Sequence, residues 1–75
     1  MTSKLTTARE IEGTVVEVMP SVGLAYLADE DNATWGVTRS TRGTGLDALR
    51  PGQRLRLTVV QHPEFAVVSE YAVLD

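Results

Sequence analysis

Gly45-Leu46-Asp47-Ala48-Leu49-Arg50-Pro51-Gly52-Gln53-Arg54-Leu55-Arg56-Leu57-Thr58-Val59-Val60-Gln61 reads as a loop, a helical turn, a Pro-Gly turn and a strand. Leu46–Leu49 can make one helical turn before Pro51, whose ring and missing N–H forbid a longer one. Beyond it, Leu55, Leu57 and Val59 alternate with Arg54, Arg56 and Thr58, giving a strand over 53–61 with one apolar face and one polar face. Upstream, Ile11–Met19 reads as a strand ended by Pro20-Ser21. With Ile11, Gly13 and Val15 facing inward, Glu17 would follow them, so a bulge is expected near Val16–Val18. A second strand covers Val22–Ala28, with Leu24 and Tyr26 on one face and Ala25 and Leu27 on the other. Asp29–Asn32 reads as a turn, because short Asp and Asn side chains satisfy turn backbone locally.

A third strand over Thr34–Thr38 places Trp35 and Val37 on a common face, and Arg39–Gly45 is a polar loop. After His62-Pro63-Glu64, Phe65–Leu74 supplies a fifth strand. Five short strands, with the longest loop between the third and fourth, predict an all-β, five-stranded barrel of the OB type. An SH3-like barrel is the nearest competitor on strand count alone.

The 75-residue length admits one domain, with residues 1–10 read as a flexible tail and 11–75 as the barrel. Cysteine is absent, so neither disulfides nor a Cys-based metal site can supplement a small core. No apolar run approaches a membrane span and the start lacks a secretory pattern, which makes a bacterial-type cytoplasm the expected location. The net charge of −3 does not favour phosphate binding, but the charges are unevenly spread. Glu10, Glu12, Glu17, Asp29, Glu30 and Asp31 fall in a stretch without Lys or Arg. Arg39, Arg42, Arg50, Arg54 and Arg56 follow with Asp47 as the one acid among them. Such asymmetry can lay a positive path on an acidic protein, or serve solubility alone.

Several of these stretches resemble the bacterial cold-shock domain family across Ile11–Leu74. Gly13-Thr14-Val15 matches the family's opening strand, although Val16, Glu17 and Val18 stand where it carries basic and aromatic residues. Val22-Gly23-Leu24-Ala25-Tyr26-Leu27 aligns with Lys-Gly-Phe-Gly-Phe-Ile, and Thr34-Trp35-Gly36-Val37-Thr38 with Val-Phe-Val-His-Phe. Gly45-Leu46, Leu49, Gly52-Gln53 and the fourth strand follow in family order, and Val60-Gln61-His62-Pro63 is similar to its Gln-Gly-Pro turn. Ile11–Pro20 also resembles, more weakly, the opening strand of bacterial translation initiation factor one, another small OB barrel.

The cold-shock resemblance implies weak, low-specificity binding of single-stranded RNA or DNA. Tyr26 and Trp35 would stack bases side by side on an outer face, at roughly 1–3 kcal/mol per base. Leu24 and Val37 would add apolar contact, and Arg39 and Arg42 would reach phosphates. The missing aromatics and acidic first half leave other readings open: a protein-interaction module that has lost nucleic-acid binding, or an initiation-factor-like ribosome binder. No enzyme, metal site or cofactor is expected. Asp29–Asn32 lacks the continuing oxygen ligands of a calcium loop, His62 has no Ser-Asp partners, and Gly43-Thr44-Gly45 lacks the lysine of a phosphate loop. Whether the chain is a monomer or a dimer is open at this stage.

Overall fold

The computed structural model describes residues 7–74. Five strands, β1 (Thr7–Met19), β2 (Leu24–Asp29), β3 (Thr34–Thr38), β4 (Arg54–Gln61) and β5 (Ala66–Val73), form one antiparallel sheet in the order β3-β2-β1-β4-β5. A 3-10 turn, Leu46–Ala48, stands where the sequence places a helical turn. The sheet curls into a half-barrel, an arrangement consistent with an OB-like barrel.

β1 is shared by both halves of the sheet. Its C-terminal part pairs with β2 from Gly13↔Asp29 to Met19↔Leu24, and its N-terminal part pairs with β4 from Thr7↔Gln61 to Thr14↔Arg54. The register on β2 slips between Val15 and Glu17, leaving Val16 as the extra residue of a bulge, 59% exposed. The bulge falls in the expected place and turns Glu17 outward while Gly13 and Val15 stay inside. Residues 7–10, read as tail from the sequence, belong to the ladder, because β4 runs on to Gln61 and needs a partner along its whole length. Residues 1–6 of that predicted tail lie outside the described residues.

The alternation of β4 is obeyed fully: Leu55, Leu57 and Val59 are wholly buried, together with Leu27 and Val37. Leu46 and Leu49 close one end of this core from the 3-10 turn. A second register slip, between Thr58 and Val59, accommodates Ser69 on β5, a bulge the sequence pattern does not announce.

A loop bridges the two ends of the half-barrel. Arg42 forms a parallel bridge with Glu70, the Tyr71 N–H donates to the Arg42 carbonyl at 2.9 Å, and β3 thereby meets β5. The Tyr71 ring, 5% exposed, lies flat under Gly43, where an added Cβ would come within 2.4 Å of the ring. Its hydroxyl accepts the Gly45 N–H at 2.8 Å. Tyr71→Phe should cost about 1 kcal/mol, the worth of one ordinary hydrogen bond. Gly43→Ala should cost more, about 1–3 kcal/mol, because ring and loop must separate. Urea unfolding curves would rank the two variants, and unchanged midpoints in both would mean that this closure contributes nothing to stability.

Candidate functional site

The outer face of β1-β2-β3 is built from the residues that alternate away from the core. Tyr26 stands on it, 37% exposed, with Glu17 opposite on β1 and Gly36 opposite on β3. Leu24 lies two residues along, between Met19 and Thr38, and its Cδ1 reaches over Gly36, 3.8 Å from where a Cβ would sit. The absence of a side chain at Gly36 leaves bare backbone beside the Tyr26 ring.

Trp35 and Val37 do not join this face. Trp35 pairs with Leu27 and Val37 with Ala25, so both point to the core side, where Val37 is fully buried and Trp35 half-buried. The predicted stacking pair is therefore split across the sheet. The register comes from the β2–β3 turn: the Asp29 N–H donates to the Ala33 carbonyl at 3.0 Å, and Asn32 takes a left-handed φ of 64°. That turn sets Tyr26 against Gly36, and Gly36 and Thr38 occupy the outward positions of β3.

Trp35 has a separate role at the end of the barrel. Its indole N–H donates to Asp29 Oδ2 at 2.9 Å, while Asp29 Oδ1 accepts the backbone N–H groups of Asp31 at 2.8 Å and Ala33 at 2.9 Å. The Arg9 guanidinium lies over the indole, 6.0 Å from the ring centroid, at the outer limit of cation–π attraction. The Trp35 hydrogen bond, then the Ala33 and Asp31 amides and the charge of Arg9, hold the Asp29 carboxyl below its ordinary pKa, against a smaller opposing effect of desolvation. Arg9 escapes a sequence reading because it falls in the assigned tail. The signal that could have found it is the length of the fourth strand, which demands a first strand reaching back past Ile11.

Arg39 is exposed and pinned to the β1–β2 turn: Nη2 donates to the Pro20 carbonyl at 2.6 Å, and its guanidinium lies over Gly23. Gly23 has a φ of +81°, and a Cβ there would come within 2.8 Å of Arg39 Nη1. Arg42 is exposed in the closing loop, with its backbone bridged to β5. Arg54 and Arg56, by contrast, are answered across the β1–β4 ladder, by Glu12 and by Glu10 (3.9 Å) respectively. The acidic and basic stretches of the sequence thus meet along the β1–β4 ladder, where two of the six acids answer two of the five arginines. Among the described residues these are the only ion pairs, so Arg39 and Arg42 keep their charge for other use.

His62 stacks on Phe65, ring centroids 4.6 Å apart, within the β4–β5 turn. Among the described residues no group of His, Asp and Glu could hold a metal ion, and no helix is long and apolar enough to cross a membrane. No family model, curated protein or solved structure matches this chain.

Two outcomes follow from this geometry. A depressed carboxyl stabilises the fold fully above the unfolded aspartate pKa, about 4, and loses that contribution as pH falls through the lower folded value. Acidification from neutral pH to about 3 should therefore lower the unfolding midpoint more in the wild-type chain than in Asp29→Asn, and shift Trp35 emission only in the former; equal responses would detach Asp29 from the indole. Gly23→Ala should destabilise by about 1–2 kcal/mol through its left-handed backbone, read as a lower urea midpoint.

Proposed function

We propose that this chain is a cold-shock-like barrel of the OB type that binds single-stranded RNA or DNA weakly and with little base preference. The observation that carries the reading is the exposed Tyr26 ring beside bare backbone at Gly36. A base laid on that ring meets Leu24 at one side, and beyond Leu24 the Arg39 guanidinium lies over Gly23, with Arg42 three residues further along the loop. Stacking on one aromatic ring is tolerant of sequence, because every base has a π-face. The guanidinium of Arg39 has donors beyond the one given to Pro20, and these can reach a phosphate oxygen. The footprint is short: one stacked base and two phosphates, with Trp35 and Val37 outside it. The domain acts by binding, without catalysis or cofactor, in a cytoplasmic setting.

A second reading is supported by Glu17, which sits directly across from Tyr26 and repels a phosphate brought close to the ring. On that reading the barrel is a protein-interaction module, and Val16, Leu24 and Tyr26 offer apolar contact to a protein partner.

Titration of the amide NMR spectrum with oligo-dT separates the two. Nucleic-acid binding predicts shifts over residues 24–27 and 36–42, and a Tyr26→Ala variant weaker by about 1–3 kcal/mol. Two phosphate contacts at about 0.7 each give a slope of log K against log salt of about −1.4. A spectrum unchanged at millimolar ligand and low salt would overturn this reading in favour of the interaction module.

A further inference from the structure

We propose that the N-terminal half of β1 is a docking edge for an extended basic peptide, which adds to the sheet as a strand where β2 leaves off. The site is separate from the Tyr26 face and does not depend on nucleic-acid binding.

β2 ends its pairing with β1 at Gly13↔Asp29, yet β1 continues for six further residues, Thr7–Glu12, paired, among the described residues, with β4 alone. Val15 directs its N–H and carbonyl toward the β4 side, bonding Gln53 and Gly52 at 2.9 and 2.8 Å. Backbone groups alternate sides along a strand, so those of Ala8 and Glu10 face the open side. A ladder edge of this kind is a ready template for a visiting strand.

The notch beside that edge is an open cleft of about 330 Å³ lined by Arg9, Ile11, Glu12, Asp29, Glu30 and Asp31. Its walls set the chemistry of the occupant. Glu30 and Asp31 are exposed and join no ion pair among the described residues, whereas Arg9, the cation of the lining, is turned toward the Trp35 ring. Half-buried Ile11 gives the floor an apolar point. An added strand antiparallel to β1 starts where β2 turns away, with its amino end beside Glu30 and Asp31. Positive charge is favoured there, from the amino terminus and from basic side chains alike.

A second copy of this chain is a poor occupant. Antiparallel pairing of two β1 edges about a twofold axis keeps inner residues opposite inner residues. An axis at Arg9 sets Arg9 against Arg9, an axis at Glu10 sets Glu10 against Glu10, and an axis at Ile11 sets Glu10 against Glu12. Each register opposes like charges, which destabilises cross-strand pairs. Like charges along β1 thus disfavour self-association at this edge, while Glu30 and Asp31 leave it open to a basic strand.

The test uses the full chain and a synthetic peptide of alternating lysine and valine, followed by amide NMR and Trp35 emission. Binding should shift residues 8–12 and 29–33 and leave residues 36–42 unmoved, which distinguishes it from occupancy of the Tyr26 face. Glu30→Lys with Asp31→Lys, on an exposed turn, should weaken it roughly five- to tenfold. Methylating alternate backbone nitrogens of the peptide should abolish binding, since strand addition needs those donors. Equal affinity for the methylated peptide, or for a glutamate–valine peptide, would overturn the proposal, as would an absence of shifts at residues 8–12.

Discussion

The whole sheet depends on β1 serving two partners at once. Thirteen residues are long enough for the strand to finish its ladder with β4 and carry on along β2. The overlap between the two ladders is Gly13–Thr14. A Cβ at Gly13 would sit 3.4 Å from the Ala28 carbonyl and 3.5 Å from both Leu27 and Leu57, in van der Waals contact with all three, so the position is closely surrounded by both halves of the sheet. Just beyond, the Val16 bulge bends the strand so that β2 and β3 can fold over the core that β4 and β5 begin. Curl, core and the outward aim of Tyr26 all follow from that bend.

Charge is organised by the same strand. Read along the chain, acids come first and arginines second, which suggests a molecule with two poles. Folding brings Glu10 and Glu12 beside Arg56 and Arg54, and where the two poles meet on the outer sheet their charges are paired. Such exposed pairs contribute little to stability, about 0–1 kcal/mol each. Their larger effect is on what the surface can attract: Arg39 and Arg42 keep their charge in the loop after β3, while Glu30 and Asp31 stand unpaired at the β2–β3 turn.

How much of this was legible in the sequence depended on whether a feature was set within one strand or between two. Leu55, Leu57 and Val59 declare their face by alternation alone, and Pro51, Gly52 and Asp29–Asn32 mark their turns by local chemistry. The bulge at Val16 was legible because Glu17 would otherwise have been buried. Whether Tyr26 shares a face with Trp35 is a different kind of question, since each strand's alternation is satisfied either way. Only the register of the β2–β3 turn decides it, and a shift of one residue exchanges the two faces. The Arg9–Trp35–Asp29 assembly was hidden for a related reason: it joins three segments through contacts that no single stretch reveals.

The arrangement of β1, β4 and β5 also determines how the domain meets a mechanical load. β1 and β5 flank β4 on either side and run parallel to one another, with Thr7 beside Gln61 at one end and Leu74 bonded to Arg54 at the other. A force drawn between Thr7 and Leu74 therefore pulls both ladders lengthwise, straining their hydrogen bonds together instead of opening them in turn. A barrel with so small a core is in this way built to resist stretching far better than peeling.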